Sequence, residues 1–317
     1  MNAERVSVVI PCFNAARYIA AAIRSVLAQR WPDLEIIVVD DGSTDGSAEL
    51  VAAAFPQVTL LRQPNRGAAE ARNLGIRHAC GSWIAFLDAD DIWLPGKLHA
   101  QAKLVSQDAS ARMVYTAWQV WVSQDSEPSA AESESLVAGA DDATRWSGPT
   151  GWIYPELLLE CVLWTSTIVA HRSLFDEIGL FDAGLHVGED YDLWLRASRV
   201  TPILRVPRPY ALYRMHPASI THAPPRENYR SIVVSRALAR WGYGHDRAGA
   251  MAPSRVRRAL AQSWSEFAAA NLSAGEFDRA GRAAWMSLRA DPTHAAAWKV
   301  LLRTAIGALS PHPALNR

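Results

Sequence analysis

Three carboxylates crowd four positions at Asp88-Ala89-Asp90-Asp91. Like charges that close repel, so they must be solvated, share protons or be neutralised by a cation. A hard cation such as Mg²⁺ or Mn²⁺ takes oxygen ligands and shares them readily with phosphates. Taken alone, the cluster is as well explained by an acidic turn that caps a helix. Four further stretches could join it. Asp40-Asp41-Gly42-Ser43-Thr44-Asp45 offers a carboxylate able to accept from a ring N–H, with Gly42 permitting a tight turn. Asn65-Arg66-Gly67 with Arg72 offers a permanent cation suited to a diphosphate, or to an ion pair with Glu70 or Asp45. Gly188-Glu189-Asp190-Tyr191-Asp192 offers a general base, or acidic partners for a helix start. Tyr213-Arg214-Met215-His216-Pro217 offers a histidine for a metal or a phosphate.

The residues around these motifs predict how they are positioned. Residues 5–11 and 34–39 are β-branched, nearly all-apolar runs suited to strands buried on both faces. Residues 58–62 and 83–87 read as two more strands. Helices are predicted over 14–30, with Asn14 as its cap, over 47–54 and over 67–79. This β-α-β-α-β-α-β order calls for a parallel sheet covered by helices, with ligands at the carboxyl ends of the strands. Cys12-Phe13-Asn14, Asp40–Asp45 and Asp88–Asp91 all follow strands, so they are expected on one edge. Pro95 leads into a helix over 96–106, and 113–122 reads as a strand. Residues 123–150 turn polar and acidic and are expected to be a flexible loop. A helix over 190–200 and a strand over 210–215 follow. The expected division is a catalytic domain over 1–225 and a helical region over 226–317. In the latter, 263–270, 277–288 and 295–309 place Ala and Trp in the manner of a helical-repeat pair.

The 317 residues carry 32 basic and 32 acidic side chains, yet residues 1–198 are net −12 and residues 199–317 net +12. The basic part could dock on the acidic one, or draw the chain to phosphates of an acceptor or of a membrane surface. It bears no nucleic-acid-binding motif, so no nucleic acid is expected. No apolar run approaches the roughly 20 residues that span a bilayer. The first residues lack the parts of a signal peptide, and three scattered cysteines fit a reducing compartment. The expected place is the cytoplasm, with peripheral contact at the inner face of the membrane as a further reading.

Taken together and in order, Val8-Val9-Ile10-Pro11-Cys12-Phe13-Asn14, Val39–Asp45, Asn65–Asn73, Phe86–Asp91 and Gly188-Glu189-Asp190 closely resemble glycosyltransferase family 2 over residues 5–220. The resemblance implies an α/β GT-A fold: a Rossmann-like, mostly parallel sheet flanked by helices, here with a C-terminal helical extension. It implies an inverting transfer of sugar from a nucleoside diphosphate donor, with UDP expected, to a hydroxyl of a glycan, lipid-linked or protein acceptor, as in surface polysaccharide synthesis. By the same resemblance Pro11, Phe13 and Asn14 line the base pocket, Asp40 reads the uracil ring, and Arg72, Asp88 and Ala89 sit at the donor. Asp90 holds a divalent cation (Mn²⁺ or Mg²⁺) with His216 as a second candidate ligand. Asp190 is the base, with Asp91 and Glu189 in secondary or acceptor-side places. Two rival readings are a sugar nucleotidylyltransferase and a sugar-nucleotide-binding protein without catalysis. The first would need a Gly-rich, basic loop after strand 1, which Pro11–Ala15 is not. The second would tolerate loss of acidic residues that are all present.

Overall fold

The computed structural model describes residues 4–122, 128–129, 132–133, 135–136, 147–216 and 226–309. The predicted flexible loop over 123–150 lies largely outside them, as does the expected boundary at 225. The chain divides into two compact units. One comprises residues 1–154 and 161–216; the other comprises 155–160 and 217–317.

The first unit is built on an eight-stranded sheet. Its strands are β1 (Val6–Cys12), β2 (Leu34–Asp40), β3 (Thr59–Arg62), β4 (Trp83–Phe86), β5 (Ile92–Trp93), β6 (Met113–Trp121), β7 (Val169–His171) and β8 (Ile203–Arg214), in the order β3-β2-β1-β4-β7-β6-β8-β5. The four strands β3-β2-β1-β4 run parallel, and β6 and β8 form a further parallel pair. Antiparallel pairing joins β7 to β4 and β6, and β5 to β8. β1 reads VSVVIPC and is buried along almost its whole length. Chain-long burial on both faces is what a Val/Ile run at the centre of a parallel sheet requires. Helices α1 (Ile19–Leu27), α2 (Ser47–Ala54), α3 (Ala68–His78), α4 (Lys97–Val105), α5 (Arg172–Ile178) and α6 (Glu189–Ala197) cover it. Gly75 lets α3 lie close on β1: a Cβ there would stand 2.3 Å from Val9 Cγ1.

Two local expectations change. The first helix begins at Ile19 rather than Asn14. Asn14 sits at φ +49° in the loop after β1, where its side chain serves the neighbouring loop instead of a helix end. The strand predicted over 210–215 begins at Ile203, because Pro207 and Pro209 fall beside an irregularity in the β6–β8 register that tolerates them.

The second unit is helical: α7 (Tyr229–Trp241), α8 (Pro253–Ser273), α9 (Phe277–Ala290) and α10 (Ala295–Leu309). Ala268, Ala280, Ala283 and Ala284 are buried with Phe267 and Val300, so small residues allow α8, α9 and α10 to pack closely. Ser287 Oγ donates to the Ala261 carbonyl at 2.7 Å and ties α9 to α8. α8 is more than twice the length expected for it. Among the described residues, no helix is long and apolar enough to cross a membrane.

Candidate active site

The carboxyl ends of β1, β2 and β4 carry the first part of the site. Cys12, the last residue of β1, is level with Asp40, the last of β2. The loops that follow are laced together. Asn14 N–H donates to Ser43 Oγ at 3.0 Å, Asn14 Oδ1 accepts from Thr44 N–H at 2.8 Å, and Asp45 accepts from Ala16 N–H at 2.9 Å. Pro11 is half-buried at the strand end, while Phe13 presents an exposed ring. Asp40 is buried and accepts a long bond of 3.3 Å from Ser43 N–H. Its neighbour Asp41 performs a structural task. One oxygen accepts from Gln63 Nε2 at 2.7 Å and Arg66 N–H at 2.8 Å, the other from Gly67 N–H at 2.8 Å. Three bonds to one carboxylate fix the loop that leads into α3.

Asp88 follows β4 and Asp190 lies in the first turn of α6. Arg72, projecting from α3, links the two regions. One terminal nitrogen donates to Asp88 Oδ1 and the other to Glu189 Oε1, both at 2.7 Å. Arg72 is almost fully buried, its Nε has no hydrogen-bond partner, and its carbon stands 5.5 Å from the Phe181 ring centroid. Burial opposes its charge, but Asp88 and Glu189 hold it protonated well beyond the ordinary arginine range. Arg72 thus braces carboxylates with both ends of its fork, a role neither the diphosphate reading nor the pairing with Glu70 or Asp45 anticipates.

Asp190 accepts from Thr165 Oγ1 at 2.9 Å and from Tyr191 N–H at 2.7 Å. Burial raises its pKa above the ordinary aspartate value, against the opposing pull of Arg72. Burial likewise raises Glu189, again with Arg72 opposing. A carboxylate held this way binds a proton more strongly than an exposed one, which suits a general base.

Asp90 and Asp91 diverge although they are adjacent. Asp91 is buried. Its carboxylate accepts from Ser166 Oγ at 2.6 Å, Trp164 Nε1 at 2.9 Å and Arg214 N–H at 3.1 Å. Burial, with Asp90 and Asp88 nearby, pushes its pKa well up. Ala89 is buried between the two carboxylates that flank it. Asp90 keeps a side chain about one-third exposed, with Oδ2 at 3.0 Å from His216 Nε2. Burial and the neighbouring Asp88 raise its pKa as well. The His216 ring packs on Tyr18 at 4.6 Å between centroids. Arg214 Nε donates to the Asp90 carbonyl at 2.9 Å.

The segment Trp164-Thr165-Ser166, around a 3₁₀ turn at Thr165–Thr167, is the part of the site that sequence reasoning missed. Trp164 and Ser166 hold Asp91, Ser166 Oγ also accepts from Asp88 N–H at 3.1 Å, and Thr165 holds Asp190. The available signal was a run of hydroxyls, Thr165-Ser166-Thr167, set in an otherwise apolar stretch.

The model of the family described as Glycosyl transferase family 2 matches residues 7–138. The UDP-Glc:alpha-D-GlcNAc-diphosphoundecaprenol beta-1,3-glucosyltransferase WfgD of Escherichia coli is 30% identical over 197 residues, 62% of this chain and 70% of that protein. The chain belongs to glycosyl transferase family 2. An uncharacterized glycosyltransferase of Rickettsia prowazekii is 32% identical over 218 residues, covering 68% of this chain and 66% of the relative. Other Rickettsia relatives are longer, and the chain spans 38% and 26% of two of them. The fold is GT-A. Staphylococcus aureus TarS 1-349, solved in complex with UDP-GlcNAc, superposes with a TM-score of 0.55 at 16% identity, over 96% of this chain and 92% of that one. The mannosyltransferase PcManGT of Pyrobaculum calidifontis, solved with GDP-Man and Mn²⁺, gives 0.53 at 21%, over 97% and 81%.

The candidate site offers ligands for a cation but no finished cage. Among the described residues no three His, Cys, Asp or Glu side chains converge on one point. Asp90 and His216, one carboxylate and one imidazole 3.0 Å apart, form a donor set that Mn²⁺ or Mg²⁺ accepts. The residues fit a metal whose shell is completed by diphosphate oxygens and water.

Proposed function

We propose that this family 2 member is an inverting glycosyltransferase that moves a sugar from a nucleoside diphosphate donor, a UDP-sugar, to an acceptor hydroxyl in one displacement. The observation that carries the reading is the Asp190 carboxylate. It is held by Thr165 and linked through the Glu189–Arg72–Asp88 chain of ion pairs to the end of β4. Catalysis by displacement needs one base on the acceptor side and charge compensation on the leaving-group side, and carboxylates are available in this reading for both.

Pro11, Phe13 and Asn14 would wall the base, with Asp40 accepting from the uracil N3–H. Asp88 and Ala89 would face the donor. Asp90 and His216 would hold a divalent cation, which supplies charge compensation for the departing diphosphate. Asp190 takes the proton of the acceptor hydroxyl as that oxygen bonds to C1 of the sugar. The C1–O bond to the diphosphate breaks on the opposite face, and the nucleoside diphosphate leaves with the bonding pair. Arg72 keeps Asp88 and Glu189 compensated while Asp190 gains and loses its proton. Asp91 acts on the acceptor side only through the loop geometry it fixes. The glucosyltransferase named above for a UDP-Glc donor supports uridine as the base and surface-glycan synthesis as the setting. Work at the inner face of a membrane, on a lipid-linked acceptor, agrees with that relative's name.

Asp190→Asn tests the assignment. The expected outcome is a fall in kcat of about 10²–10⁴-fold, the usual contribution of a positioned base, with UDP binding unchanged by calorimetry. Near-normal transfer by this variant would remove Asp190 from the reaction.

A further inference from the structure

We infer that the helical second unit carries its own binding site for a phosphorylated sugar, in a cleft lined by the start of α7 and by α8 and α9. The inference does not rest on the glycosyl-transfer reading and uses none of its residues.

The cleft has a volume of about 370 Å³. Small-molecule sites span about 300–1,000 Å³, so this one suits a single ring with a substituent. Arg226, Arg279 and Arg282 line it with one carboxylate, Glu227, and Glu276 Oε2 stands 3.8 Å from Arg279 Nη1. Arg279 is held in place by Asn271 Oδ1 at 3.1 Å, while Arg226 and Arg282 extend into solvent. Arginine forks match the geometry of phosphate oxygens.

Two features of the wall point to a ligand independently of the rim. The first is Asn228, 6% exposed and the cap of α7. Its Oδ1 accepts from Ser231 N–H at 3.1 Å and from Ser263 Oγ at 2.9 Å. Those two donors fix which end of the amide is oxygen. The Nδ2 end is enclosed and has no hydrogen-bond partner, in a residue that lines the cleft. An unmatched buried donor carries a desolvation cost, which a small shift of the side chain onto a ligand oxygen in the cleft would remove. The positive end of the α7 dipole adds to the attraction for an anion. The second feature is aromatic. Trp264 lines the cleft and meets Phe267 edge-to-face at 5.8 Å between centroids. A flat apolar wall beside cationic donors fits the C–H face of a sugar ring with its phosphate turned to the arginines. Three guanidinium groups and an amide exceed what a two-oxygen carboxylate can engage; a phosphate monoester has three terminal oxygens.

The test is calorimetric titration of the full chain, with saturating UDP present, using glucose 1-phosphate, glucose, inorganic phosphate and phosphatidylglycerol vesicles. Glucose 1-phosphate is expected to bind saturably and at least tenfold more tightly than glucose or inorganic phosphate. An Arg226→Ala, Arg282→Ala double variant is expected to weaken it tenfold or more with an unchanged Tm, since both side chains are exposed. The inference is overturned by absence of binding, by its disappearance when UDP is added, or by equal affinity in the double variant. It is also overturned if inorganic phosphate binds as tightly, or if the vesicles bind and the sugar phosphate does not.

Discussion

Thr165 has no chemistry of its own to offer, yet its hydroxyl, after burial and Arg72, bears on how Asp190 holds a proton. Its 2.9 Å bond stabilises the ionised carboxylate and so works against the burial that raises the Asp190 pKa. In Thr165→Val that pKa rises further. Because the proposed transfer needs the ionised form, activity is expected to be lost as pH falls through the pKa, and the acid limb of the kcat profile to move to higher pH. Thr165→Ser restores the donor and is expected to return the limb to its place. A profile that does not move would mean that Thr165 only packs. The acidic motifs themselves were legible in the sequence, because closely spaced carboxylates after an apolar strand have few explanations. Their division of labour was not. Asp90 and Asp91 are neighbours of one type, and only the bonds from Trp164, Ser166 and Arg214 make one structural while leaving the other half-open. Those partners lie 73, 75 and 123 residues away.

At the scale of elements, the parallel half of the sheet was readable because β1, β2 and β4 are buried on both faces and their composition says so. The antiparallel half was not. β5 has two residues and β7 three, too short for any periodicity to register. The places they take, β7 between β4 and β6 and β5 at the edge beside β8, depend on partners distant in sequence. Loop geometry gives the prediction here. Gly42 adopts φ +80°, and a Cβ would stand 2.9 Å from the Asn65 backbone nitrogen. Gly42→Ala therefore strains the turn and pushes the loop after β2 against the loop after β3. A loss of about 2 kcal/mol is expected in denaturant unfolding, with UDP affinity reduced more than that of a donor-independent ligand. Unchanged stability and affinity would show that the two loops yield freely.

Across the whole molecule, the division of charge was visible in the sequence, and so was the helical character of the second unit. The cleft in that unit was not, since Asn228, Trp264 and Arg282 come from three separate helical segments. Among the described residues, each unit has an apolar cluster of its own. With UDP and Mn²⁺ each at about 100 times Kd, linkage predicts about 2.7 kcal/mol of stabilisation per ligand. Differential scanning calorimetry is expected to show that gain in the transition of the α/β unit. In Asp90→Asn the Mn²⁺-dependent part is expected to vanish while the UDP-dependent part persists. Full Mn²⁺ stabilisation in that variant would place the cation elsewhere.

The bond from Arg214 to Asp91 also has a bearing on how the protein is made. Asp88, Asp90 and Asp91 leave the ribosome long before Trp164, Glu189 and Arg214 have been translated. For that interval Arg72 is present to engage Asp88, but Asp90 and Asp91 still lack the partners that come later in the chain. Contacts so far apart in sequence form late and slowly. The nascent chain is thus expected to finish the loops after β1 and β2 early and the loop after β4 last, so that a protease-resistant core appears during translation before the proposed cation site is complete.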